Sequence, residues 1–98
     1  MAFITDIVNK GATVKDVKLR YEGPYLLALS VRNKNWDHEQ QAQISVNQKT
    51  HDMRYPIPFA IEYTDKQGIR RTQRYEFDQG NHIKPISMGI DASELDLE

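Results

Sequence analysis

Histidine, carboxylate and hydroxyl side chains supply most metal ligation and acid–base or nucleophilic catalysis, and in this chain they are scattered rather than grouped. His38, His51 and His82 stand far apart. A zinc site needs several such ligands at about 2.0 to 2.1 Å from one ion, usually prepared by i,i+2 or i,i+4 spacing that is missing here. No metal and no cofactor is therefore expected. Asp37-His38-Glu39 sets a base between two carboxylates, but acid–base work needs a partner and a dry cleft to shift a pKa. The triplet follows a stretch rich in Asn and Lys, so it is read as a solvated loop. Ser30, Ser45, Ser87 and Ser93 could serve as nucleophiles, yet none stands in a G-x-S-x-G turn that would lift a serine above a sheet. The absence of cysteine removes thiolate chemistry and Cys-ligated zinc. The expectation is a domain without catalysis and without a catalytic residue.

Binding suits the remaining residues better. Arg70, Arg71 and Arg74 share a run with Tyr75, across a turn from Tyr63, and basic surfaces interleaved with aromatics contact single-stranded nucleic acid. Strand alternation puts Arg70, Thr72, Arg74 and Glu76 outward, where Glu62 on the partner strand quenches part of the charge. Arg71 shares parity with Tyr75 and extends its charged end from the margin of the domain. Trp36, the single tryptophan, sits in the polar stretch Asn33-Lys34-Asn35-Trp36-Asp37-His38. Residues of this type are frequent interface anchors. With Tyr55 it offers an aromatic platform for a protein or a sugar; the competing expectation is that its ring folds back as a lid over one end of the domain, because so much area gains from burial. The candidate binding residues are thus Trp36, Tyr55, Arg70 and Arg74.

The elements that must carry these residues are strands. Apolar residues alternate at Ile57, Phe59, Ile61 and Tyr63, the turn Asp65-Lys66-Gln67-Gly68 follows, and a second alternation returns through Ile69, Tyr75 and Phe77. A Gly at the fourth position suits a type I turn followed by a bulge residue at positive φ. Asp65 accepts a hydrogen bond from an N–H two residues on and closes the loop. Five further runs are strand-like. Phe3 to Val8 ends at the turn Asn9-Lys10-Gly11, and Thr13 to Tyr21 ends at Glu22-Gly23-Pro24. Tyr25 to Arg32 is the most apolar and is expected as a central strand. Gln41 to Val46 is weakly apolar and is expected at an edge. Pro56 and Pro58 confine the start of the hairpin to an edge or strand entrance, and Pro85 does the same for the run His82 to Ile90.

About seven strands with turns every eight to twelve residues predict an all-β, antiparallel, two-sheet sandwich over residues 1–90, with 91–98 an acidic C-terminal tail. Its expected core is Ile7, Val17, Leu19, Leu27, Leu29, Val31, Ile44, Phe59, Ile61, Tyr75, Phe77 and Ile86. With 98 residues there is room for one modest core and little for an enclosed active site. Lys and Arg total 13 against 14 Asp and Glu, a formal net charge of −1. That balance predicts neither a nucleic-acid partner nor attraction to an anionic membrane. No signal peptide or transmembrane segment is expected in the chain as given. It begins almost inside a strand pattern, so excision from a longer protein is one expectation.

The early Ile4-Thr5-Asp6-Ile7-Val8-Asn9-Lys10-Gly11, continued by Val14, Val17 and Leu19, and the later Phe59-x-Ile61-x-Tyr63-x-Asp65-x-x-Gly68-x-x-x-Thr72-Gln73-x-Tyr75-x-Phe77 resemble immunoglobulin-like β-sandwich domains of bacterial proteins of unknown function, often membrane-anchored. The resemblance covers most of the chain. It implies a binding or spacer module, an interaction or accessory domain without an active site, and supplies no functional residue. The alternative is a carbohydrate- or ligand-binding module using Trp36 and Tyr55. The expected partner is a protein, or a second copy paired through the Gln41 to Val46 edge.

Overall fold

The computed structural model describes residues 2–31, 34–48, 54–86 and 95–98. Its strands are β1 (Ala2–Val8), β2 (Lys15–Arg20), β3 (Tyr25–Ser30), β4 (Gln41–Gln48), β5 (Ile57–Thr64), β6 (Arg70–Phe77) and β7 (Ile83–Pro85). They form two antiparallel sheets, one ordered β1-β4-β3 and the other β2-β5-β6-β7. The all-β, two-sheet expectation therefore holds. The partition differs from that of a constant-type immunoglobulin domain, which gathers its first, second, fourth and fifth strands in one sheet.

Alternation builds the core. Ile57, Phe59, Ile61 and Tyr63 of β5 are buried, as are Tyr75 and Phe77 of β6, and the residues between them face outward. The three-stranded sheet answers with Ile7, Ala42, Ile44 and Val46. Phe3 joins the layers edge-on to Phe77 at 5.5 Å, and Phe59 stacks between Phe77 and Tyr75 at 5.0 and 6.0 Å. Of the expected core, Leu19, Leu27, Leu29 and Val31 are only partly covered. Ile86 is not in the core: just past the end of β7, it is 45% exposed.

The Asp65 turn forms as expected. Gly68 takes φ 80°, its N–H donates to the Asp65 carbonyl at 3.0 Å, and Asp65 Oδ1 accepts from Gln67 and Ile69 N–H, each at 2.9 Å. A second turn repeats this chemistry between β6 and β7. Asp78 Oδ1 accepts from Gly80 N–H at 2.9 Å and His82 N–H at 3.0 Å, while Asn81 takes the positive φ.

Three expectations are corrected. Gln41 to Val46 belongs to β4, the centre of its sheet, and β3 is at one of the two edges. Overall apolarity misassigned them: a central strand needs backbone partners on both sides, whereas its outward side chains stay polar when that face meets water. Gln41, Gln43 and Asn47 accordingly point to solvent, and the surplus apolar residues of β3, Leu26 and Ala28, lie on the exposed face. The third correction concerns the end of the expected acidic tail, residues 95–98; residues 91–94 lie outside the described residues. Leu95 and Leu97 are buried, and Glu98 exchanges backbone hydrogen bonds with Val8 at 2.9 and 3.0 Å. Alternation explains this: Leu95 and Leu97 face inward, and Asp96 and Glu98 face water.

Candidate binding surface

The outward face of β2-β5-β6-β7 carries the charge. Lys15, Lys18 and Arg20 project from β2, Glu62 from β5, Arg70, Arg74 and Glu76 from β6, and Lys84 from β7; all the cations among them are exposed. Cross-strand register places Arg20, Ala60 and Arg74 in one row, with Ala60 as a low point between two long side chains. A shallow groove of about 580 Å³ runs over this row, with Pro58, Thr72 and Ile86 among its walls. Ala60 is its one small residue, and Arg20 and Arg74 line it together with Glu22, Glu62, Tyr21 and Phe59.

The arginines are held differently. Glu62 pairs with Arg20 at 3.1 Å and with Arg70 at 3.6 Å. Arg70 is further fixed by Asp16, through its backbone carbonyl at 2.5 Å and its carboxylate at 3.6 Å. Arg71, of inward parity, pairs with Asp65 at 2.9 Å. That guanidinium and the backbone N–H donors of the turn hold the Asp65 carboxyl below its ordinary pKa. Arg74 differs: among the described residues its guanidinium makes no hydrogen bond or ion pair. Its backbone carbonyl accepts from Ile86 N–H at 3.0 Å, which anchors Ile86 beside it. Of the expected binding residues, Arg70 and Arg74 thus share this face, one engaged and one open.

Trp36 and Tyr55 lie elsewhere and apart. Trp36 is 0% exposed. It exchanges two backbone hydrogen bonds with Val14, each at 3.0 Å, and its indole N–H donates to the Gln40 carbonyl at 2.8 Å. A ring with no exposed face cannot be a platform, so the lid expectation replaces that one. Asn9, equally buried, locks this end: its amide nitrogen donates to the Ala12 and Trp36 carbonyls at 2.9 and 3.2 Å, and its oxygen accepts from Gly11 and Asp96 N–H at 2.9 and 3.3 Å. Tyr55 is half-buried, and its hydroxyl donates to Asn81 Oδ1 at 2.7 Å. It precedes Ile57, which pairs with Phe77 near the start of β1, whereas Trp36 sits near its end. The two aromatics therefore occupy opposite ends of the sandwich.

Tyr63 and Tyr75 also face inward, so neither serves as a stacking ring on the arginine face. Burial raises the Tyr75 phenol pKa well above its ordinary value, and the hydroxyl donates to the Leu95 carbonyl at 3.1 Å. His38 Nδ1 lies 2.7 Å from the Gly11 carbonyl and its Nε2 lies 3.6 Å from Glu39; His82 neighbours Asp78 at 3.6 Å. Among the described residues no group of three or more His, Asp or Glu is arranged to hold a metal. His51, Ser87 and Ser93 lie outside the described residues.

Arg20, Ala60 and Ile86 do not read as one surface in the sequence, because Arg20 meets Ala60 only through the β2–β5 pairing across about forty residues, and Ile86 is brought in only by its N–H bond to the Arg74 carbonyl. Parity alone placed Arg70 and Arg74. The Asp78 turn, by contrast, was available from its Asp-x-Gly-Asn spacing. Compared with family models, with curated proteins and with solved structures, the chain matches none.

Proposed function

We propose that this is a non-catalytic interaction domain that takes an extended protein segment across the outward face of β2-β5-β6-β7. The observation that carries this reading is Arg74, an exposed guanidinium without a partner among the described residues, set over a groove floored by Ala60. A guanidinium recognises a carboxylate through paired N–H donors. Pro58, Ala60 and Ile86 beside it give an apolar side chain of the same segment somewhere to rest. Kinship with immunoglobulin-like modules of bacterial proteins would lie in the two-sheet architecture rather than in strand order. The carbohydrate alternative loses its support with the burial of Trp36.

The test is an NMR titration of the labelled domain with a panel of extended dodecapeptides pairing an apolar residue with acidic, neutral or basic neighbours, and with oligo-dT. Acidic peptides should shift the amides of Ala60, Thr72, Arg74 and Ile86, and Arg74→Ala should weaken them about tenfold, the loss of one charge-assisted contact. Binding by oligo-dT alone, or shifts that ignore Arg74→Ala, would refute the reading.

A further inference from the structure

The four sheet edges are not equally guarded. Exposed edges ordinarily carry charges, proline, a bulge or a cover, because their free N–H and C=O groups recruit other strands. β2 has Lys15, Lys18 and Arg20, with a register shift and a positive φ at Asp16. β7 is three residues long and contains Lys84 and Pro85. β1 carries Asp6, and its last part is covered by residues 95–98 through Val8 and Lys10. β3, Tyr-Leu-Leu-Ala-Leu-Ser, has no charge, no proline and no register shift.

Its open hydrogen-bonding groups can be assigned. Asn9 N–H donates to the Gln40 carbonyl, so ladder alternation turns Ala42, Ile44 and Val46 toward β1 and Gln43, Ser45 and Asn47 toward β3. Their β3 partners are Ser30, Ala28 and Leu26. The backbones of Tyr25, Leu27 and Leu29 therefore point to the open side. Tyr25 N–H confirms the direction by donating to the Tyr21 hydroxyl at 3.3 Å. Leu27 and Leu29 keep N–H and C=O groups without partners among the described residues.

We infer that a second copy of this chain pairs here, β3 against β3 and antiparallel, joining two three-stranded sheets into one. The register that uses the open groups puts Leu27 opposite the partner's Leu29 and Ala28 opposite its own counterpart on the two-fold axis. Each Leu27 and Leu29 pair then exchanges two N–H···O bonds. On the inner face the half-covered Leu27 and Leu29 meet each other; on the outer face Leu26, 57% exposed, meets Ser30. The strand is self-complementary because nothing charged meets itself. The same operation on β2 would set Lys and Arg side chains against one another, which is repulsive. This inference is independent of the groove on the other sheet.

The chain contains no cysteine, so a single introduced thiol reports the contact. Ala28 pairs with itself at a non-hydrogen-bonded position, where Cα atoms stand about 4.5 Å apart, within the disulfide range of about 4.4 to 6.8 Å. Ala28→Cys should oxidise readily to a covalent dimer, and Gln43→Cys, on the same face but one strand inward, should not. In sedimentation, the unmodified protein should dimerise with rising concentration. Leu26→Lys, at a solvent-facing position, should weaken that association tenfold or more while leaving the circular dichroism unchanged. A monomer at millimolar concentration, or a dimer that Leu26→Lys leaves intact and Ala28→Cys fails to trap, would overturn the inference.

Discussion

The two sheets share a core but present opposite exteriors. On the strands of β1-β4-β3, Asp6 is the one charged residue, whereas β2-β5-β6-β7 carries Lys15, Asp16, Lys18, Arg20, Glu62, Arg70, Arg71, Arg74, Glu76 and Lys84. A net charge of −1 averages these into apparent neutrality. The lesson is that steering and recognition depend on where charge lies, and only the fold sorts it. The charged sheet also protects its own edges, while the uncharged one leaves β3 open.

The largest expected effect tests what the sheets have in common. Phe77→Ala removes the ring that Phe3 reaches from one layer and Phe59 from the other; it should cost about 3 to 5 kcal/mol in urea unfolding. A loss below about 1 kcal/mol would mean that the layers do not share this contact. Next comes the lock on the uncharged sheet. Asn9→Ala leaves the Trp36 carbonyl and the Asp96 N–H without their side-chain partner. A cost of about 1 to 3 kcal/mol is expected from unsatisfied buried groups, with faster amide exchange at Lys10 and Glu98.

The charged sheet should respond to acid. Asp65 is held below its ordinary pKa first by Arg71 and then by turn N–H groups, and Asp78 chiefly by the His82 N–H. A carboxyl depressed in the folded state stabilises it above its unfolded pKa, and that contribution is lost as pH falls through the folded value. Thermal stability should therefore decline below about pH 4, the unfolded carboxyl range, and because the Asp65 side chain is 3% exposed against 29% for Asp78, Asp65→Asn should flatten this decline more than Asp78→Asn. The reverse ranking would contradict the difference in their surroundings. The smallest effect is expected at Arg20→Ala. Its pair with Glu62 is largely solvated on the arginine side, so unfolding should change by no more than about 1 kcal/mol.

Much of this was legible before folding. Period-two alternation identified Phe59, Ile61, Tyr75 and Phe77 as buried, and Asp65 with Gly68 specified a turn. Strand order was less accessible, because side-chain apolarity reports faces, whereas centre and edge are decided by backbone pairing. For that reason β3 and β4 exchanged places. Leu95 and Leu97 were hidden by the acids around them, although they alternate as inward residues do. The groove around Arg74 required β2 and β5 to meet, which neither strand announces alone.

Hydrogen exchange followed residue by residue in dilute and concentrated protein tests the central claim, that the uncharged sheet ends in an open β3 edge while β4 is enclosed. Amides of β4 from Ala42 to Asn47 should be protected throughout; in β3, Leu26, Ala28 and Ser30 should be slow and Leu27 and Leu29 fast. Concentration should slow Leu27 and Leu29. Fast exchange along β4, or equal protection of all β3 amides in the dilute monomer, would contradict it.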